Sequence, residues 1–262
     1  MAPFMLPWSA VLISLVFADA LDHHQFMVAI DIGHSKAHSG AVSCTGLKEY
    51  EYNRRVAERL KDLFKREEGA KAFIINPNGE NLPLAKRARN AFDQKADLLL
   101  SLHHDSVQPH YLLHHRSNDT LYHFCDRYTG YSLFISQAEP FAAANFKLAM
   151  CIGKVLSAQG FHPSYHHAEK IVGENRILLD SLGIYQFDEL ALLRNARLPA
   201  VLIECGILVN REEEKRMRER EWTDRFCWAL KEAVDIYIRT RTDSQHLFLM
   251  PPKVESHRDI IN

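Results

Sequence analysis

Apolar positions along this chain alternate between two spacings. Residues 27–32 form a short apolar run closed by Gly33, which predicts a buried strand. Over 52–64, Val56, Leu60, Leu63 and Phe64 fall on one stripe while Arg and Lys cover the rest, the pattern of an amphipathic helix. A strand at 73–75 stops at the turn cluster Asn76-Pro77-Asn78-Gly79, and a short helix over 84–92 and a strand over 98–102 follow. From 105 to about 140 the periodicity lapses. That stretch, rich in His, Tyr, Ser and Asp, reads as a long surface insertion and not another core layer. A helical stripe returns over 141–158 through Leu148, Ile152, Val155 and Leu156, and a second irregular segment covers 160–189. Residues 199–203 predict the last clear strand, and 211–237 a charged helix with Trp222, Phe226, Leu230 and Val234 on one face. The tail from Thr240 shows no period. Strands alternating with helices predict an α/β fold: a mixed, mostly parallel central sheet flanked by helices on both faces, with inserted irregular segments. Ligands in such folds gather outside the carboxyl ends of the strands.

Composition narrows the classes. The 262 residues are 47% hydrophobic and 25% charged, enough for one large domain with a covered core. A net charge of −1, from 32 basic and 33 acidic residues, lacks the footprint of a nucleic-acid binder. Residues 8–17 are mostly apolar and Ala18-Asp19-Ala20 has the small-x-small form of a signal-peptidase site, so 1–20 is expected to be an export signal and 21–262 a single domain. The apolar stretch is shorter than the roughly 20 residues that span a bilayer, so no retained transmembrane segment is expected. Cys44, Cys125, Cys151, Cys205 and Cys227 contain no C-x-x-C pair, which excludes a zinc ribbon, and their odd number leaves at least one free. Cys151 and Cys227 read as small buried residues on helices. Cys205 follows Glu204, but strand alternation sends the two to opposite faces, which argues against a nucleophile beside that carboxylate.

Four residues carry the candidate chemistry. His34 lies just past the first strand, His103 follows 98–102 and Glu204 follows 199–203, so all three reach one edge of one sheet. Glu49 opens the helix after the first strand and reaches that edge if residues 35–48 fold back. Two imidazoles and a carboxylate fill three corners of a zinc tetrahedron and leave the fourth to water, the arrangement of a hydrolytic site. Blander readings stand beside this one: Glu49 as a partner of the helix dipole, and His103 as a loop histidine. His104 competes with His103, although alternation lets only one of them face the metal. His104-Asp105 with His110, His114 and His115 reads as a second metal site or a polar rim, and His166-His167-Ala168-Glu169 as groove lining or turn chemistry.

Residues 28–34, Gly46-Leu47-Lys48-Glu49 leading into Asn53, residues 96–103, and residues 198–206 resemble, in order, the signature blocks of the zinc-dependent N-acetylmuramoyl-L-alanine amidases of the Amidase_3 type. The resemblance runs from Met27 to Glu214. It implies Zn²⁺ held by His34, Glu49 and His103, with Glu204 as the catalytic carboxylate. The implied substrate is peptidoglycan, cut at the amide between N-acetylmuramic acid and L-alanine. Arg176 would pair with a stem-peptide carboxylate and His167 would line the groove. An exported, periplasmic or envelope-associated protein is implied, as is a protein activator if one of the inserted segments covers the metal. Ser35-Lys36-Ala37-His38-Ser39-Gly40 departs from the family's glycine-rich pattern and brings His38 into question as a neighbour of the ligands. The alternatives are another zinc amidohydrolase or carboxypeptidase, and a catalytically silent cell-wall binding protein with structural zinc.

Overall fold

The computed structural model describes residues 25–242 apart from 67–68, 118–119, 139 and 172–175, so the expected export signal and the tail beyond 242 lie outside the described residues. In chain order the elements are β1 (Met27–Ile32), α1 (Glu49–Arg66), β2 (Lys71–Ile74), α2 (Leu84–Asp93), β3 (Leu98–Asp105), β4 (Leu113–Ser117), β5 (Thr120–Phe124) and β6 (Ser132–Ile135). Then come α3 (Ala142–Ala158), β7 (Ile177–Asp180), β8 (Ile184–Gln186), α4 (Ala191–Asn195), β9 (Ala200–Ile207), α5 (Arg211–Met217) and α6 (Arg220–Thr242).

One sheet runs β2-β1-β3-β9-β6-β8-β7, and every junction is parallel except β6–β9 and β7–β8. The central strands read as apolar runs, interrupted before their carboxyl ends only by Asp31 and Ser101, because helices cover both of their faces. Val28, Ile30, Ile32, Leu98, Leu100, Leu102, Val201, Ile203 and Cys205 pack with α1, α3 and α6. Ala29, Leu99, Ala200 and Leu202 face the other way, toward α2 and α4. The two-residue repeat thus puts Cys205 in the first core and Glu204 on the opposite face, as the alternation predicts. On α6, Phe226, Leu230 and Val234 are fully buried and the Trp222 ring stacks on Phe226 at 4.9 Å.

Several segments differ from the sequence expectation. Residues 105–140 do contain irregular chain, but they also thread β6 into the sheet, with Ser132–Ile135 buried throughout. A strand this short is too brief to register a period, and polar flanks hide it. Residues 160–189 likewise supply the edge pair β7 and β8, while β4 and β5 form a separate antiparallel ribbon. Neither segment holds an α-helix among its described residues. Strands β3 and β9 run past the expected ends, so His103 and Glu204 lie within strands. The charged helix is broken in two: Asn210 caps α5 by accepting the Glu213 N–H at 2.9 Å, and a separate α6 starts at Arg220. All five cysteines are free. No helix among the described residues is long and apolar enough to cross a membrane.

Candidate metal centre

Neighbouring strands bring the candidate residues to one edge. The Gly33 N–H donates to the Leu102 carbonyl at 2.9 Å, which sets the loop after β1 beside the end of β3. His103 and Glu204 are register partners on β3 and β9, and such partners stand about 4.8 Å apart on the same face. The segment 35–48 does fold back: Val42 bridges Lys48 and the Glu49 N–H donates to the Ala41 carbonyl at 2.9 Å. That fold carries Glu49, at the start of α1, to the strand ends.

The Glu49 carboxylate is held from every side. Its Oε2 lies 2.9 Å from His34 Nε2 and accepts the Ala41 N–H at 2.9 Å. Its Oε1 lies 3.1 Å from His103 Nδ1 and accepts from Asn53 Nδ2 at 3.1 Å and from the His104 N–H at 3.2 Å. Burial pushes the Glu49 carboxyl up, but the hydrogen bonds and charge of His103 and His34 together hold it well below the ordinary carboxylate range. One donor atom from each of His34, Glu49 and His103 falls within 4.8 Å of the other two. Ligands of a tetrahedral zinc, with bonds of about 2.0–2.1 Å, stand roughly 3.3 Å apart, so this donor set fits such an ion. Space around it is reserved too. A Cβ on Gly33 would come within 2.5 Å of His103 Nε2, and one on Gly40 within 2.2 Å of Glu49 Oε2.

His34 itself adopts φ 67°, a left-handed conformation that an L side chain takes at a cost. Its carbonyl is tied down by Arg87 of α2, which also donates to the Ile32 carbonyl at 2.7 Å and to Asp31 Oδ1 at 3.2 Å. Asp31 in turn accepts from Ser101 Oγ at 2.7 Å. The sequence gives Asn53 no role beyond its place in the block that follows Glu49, and it does not single out Arg87. Asn53 has a signal there, four residues after Glu49 on the same helix face, whereas an arginine on an amphipathic helix reads as solvated.

Glu204 Oε2 is cut off from solvent and has no hydrogen-bond partner. Burial first, then the charges of Asp105 and Glu49, push its carboxyl well above the usual range, against a smaller pull from Arg176. His104 turns away, as alternation predicts: it is 1% exposed, and its ring lies against Tyr52 and Trp222. His38 is exposed, and its backbone closes a turn with Ser35. His110 and the ribbon histidines His114 and His115 are absent from the donor groups found among the described residues. His167, expected to line a groove, is only 7% exposed, packed between Phe134 and Tyr185 with Nε2 against Asp105. Arg176 contacts His167 Nδ1 and lies over the Phe187 ring.

Donors gathered at the carboxyl edge of a mixed sheet, beside a buried carboxylate one strand over, define an α/β domain with a metal-type centre. The chain belongs to the N-acetylmuramoyl-L-alanine amidase family Amidase_3, whose profile matches residues 28–235. It is 23% identical over 235 residues to the probable N-acetylmuramoyl-L-alanine amidase AmiB of Haemophilus influenzae, covering 83% of this chain and 53% of that protein. The chain therefore spans about half the length of that relative. Among solved structures, the N-acetylmuramoyl-L-alanine amidase of Clostridium difficile 630 superposes with a TM-score of 0.63 at 20% identity, over 83% of this chain and 98% of that one. Ami1 of Mycobacterium abscessus, in its apo form, gives 0.65 at 17% identity, over 81% and 98%. At these identities the superpositions establish a shared fold.

Proposed function

We propose that the protein is an exported zinc-dependent N-acetylmuramoyl-L-alanine amidase that cleaves the amide between the lactyl group of N-acetylmuramic acid and L-alanine in peptidoglycan. The observation that carries this reading is the unpartnered, buried Glu204 Oε2 beside the His34–Glu49–His103 donor group. In it, His34, Glu49 and His103 hold the ion, and Asn53, the Ala41 N–H and the His104 N–H fix the orientation of the Glu49 carboxylate. Bound zinc supplies Lewis-acid chemistry, polarising an amide carbonyl and acidifying a nearby water. Glu204 takes the proton from the water as its oxygen adds to the carbonyl carbon. It returns that proton to the nitrogen as the C–N bond breaks, leaving a lactyl carboxylate and a free L-alanine amine. Glu204 is the register partner of His103, which sets its carboxylate on the same side of the sheet as that donor. His34 keeps 33% of its side chain exposed, and that is the side from which a substrate would approach the donors. Export rests on the apolar stretch and Ala18-Asp19-Ala20 near the start of the chain, and it puts the enzyme in the periplasm or at the envelope.

Digestion of purified sacculi tests the reading. The wild type should release peptides with a free L-alanine amine and leave muramic acid intact, identified by mass spectrometry. Glu204→Gln should keep its zinc and release nothing, whereas His34→Ala should lose both. Cuts within the stem peptide would make the protein a carboxypeptidase instead, and binding without release would make it a cell-wall binding protein.

A further inference from the structure

Three side chains outside the His34–Glu49–His103 group meet at a second point. Asp105 Oδ2 lies 3.0 Å from His166 Nε2 and 2.5 Å from His167 Nε2. One donor atom from each of the three falls within 4.8 Å of the others. His166 is only 3% exposed, and its Nε2, 3.0 Å from Asp105 Oδ2, completes no hydrogen bond of good geometry. A buried polar atom left in this way calls for an explanation. The other ring nitrogen is engaged: His166 Nδ1 sits 2.9 Å from the Ser164 hydroxyl, and Ser164 is 2% exposed. When Nδ1 donates to that hydroxyl, the Nε2 lone pair faces the Asp105 carboxylate, an arrangement that a cation between them turns from repulsive to binding.

We propose that Asp105, His166 and His167 form a second divalent-cation site, with one carboxylate oxygen and two imidazole nitrogens as ligands. That donor set suits zinc and its first-row neighbours. The site adjoins the first: Asp105 lies two residues beyond His103 on β3, across a register shift in the pairing with β9, and both side chains are half-buried while His104 between them is buried. It does not depend on the amidase reading.

Arg176 sets its affinity. The guanidinium donates to His167 Nδ1, which fixes the ring proton on Nε2, where it is donated to Asp105. A cation needs the Nε2 lone pair, so it binds only as Arg176 releases Nδ1 and the ring proton moves there. The second site is therefore weaker than the first and is tuned by one arginine.

The test is a zinc titration of the full chain, stripped with chelator and refilled, followed by calorimetry and by metal analysis after gel filtration. Wild type should bind two equivalents, one tight and one weaker. His166→Ala should keep only the tight one, and His103→Ala only the weak one. Ser164→Ala, a milder change, should weaken the second equivalent about 10–100-fold. Arg176→Met should tighten it about tenfold, the weight of one charge-assisted hydrogen bond. Saturation of the wild type at one equivalent overturns the proposal, as does a second equivalent that survives His166→Ala. If His166→Ala does not fold, Ser164→Ala and Arg176→Met decide, and indifference to both overturns it. Failure of the first site alone reads differently: the tight equivalent survives His103→Ala while the weak one still answers to these changes.

Discussion

Replacing Arg87 by methionine should injure the protein in two separable ways. Arg87 and Asp31 are both out of water, with side chains 3% and 0% exposed. Without the guanidinium, Asp31 keeps only the Ser101 hydroxyl among the donors described here, so a buried charge is left nearly uncompensated. Breaking such a pair from one side costs about 3–5 kcal/mol, a large share of the roughly 5–15 kcal/mol that stabilises a domain. The Ile32 and His34 carbonyls also lose their donor, and His34 is the residue whose left-handed backbone that donor restrains. Asp31→Asn removes the stranded charge, so the double variant should recover at least about 2 kcal/mol relative to the sum of the single costs. It should not recover the tie to His34. Zinc affinity should therefore stay about 10–100-fold below wild type in the double variant, as when a group that orients a ligand is lost. Urea unfolding of the three variants and the wild type gives the coupling, and competition with a chelating dye gives the affinity. Additive unfolding costs, or wild-type affinity in the double variant, would show that Arg87 neither compensates Asp31 nor restrains His34.

Other changes probe different parts of the molecule. Gly40→Ala should abolish tight zinc binding in the same competition assay, because its Cβ would fall 2.2 Å from Glu49 Oε2 at a φ of 74°; the backbone alone adds about 1–2 kcal/mol. Phe226→Ala empties a fully buried position wedged between Trp222 and Phe161. It should cost about 3–5 kcal/mol in urea while leaving zinc stoichiometry intact. A thiol reagent at pH 8 should count five thiols in denaturant and find Cys44, Cys125, Cys205 and Cys227 slow in the native protein. Burial, with help from Glu214, pushes the Cys44 thiol up to about 11, and burial also raises Cys205 and Cys227, so little thiolate is present to react. Rapid native labelling of Cys205 would contradict its place in the core.

What the sequence disclosed follows from how physical signals reach it. The apolar runs of β1, β3 and β9 are plain because those strands are buried on both faces, and His34, His103 and Glu204 could be grouped because strand ends converge by geometry. Alternation alone separated His103 from His104 and Glu204 from Cys205. Strands β6, β7 and β8 escape because they are as short as β2 yet lack a turn cluster like the one at 76–79 that marks where β2 stops. Arg87 was invisible for another reason: its burial is created by the loop it clamps, and a helix pattern carries no record of that loop. The Asp105–His166–His167 group joins positions some 60 residues apart through the chain that carries β6 and α3. Only a tertiary path could reveal that they meet.

The strand at the centre of the sheet is the last to be made. Until residues 200–207 are available, β3 and β6 each present an open edge with nothing between them. The first half of the molecule can assemble β2, β1, β3 and the His34–Glu49–His103 group early, while Glu204 arrives only when β9 slots into that gap. A nascent or truncated chain ending before residue 200 would therefore gather His34, Glu49 and His103 without the carboxylate beside them, and it would carry two adhesive strand edges that favour aggregation.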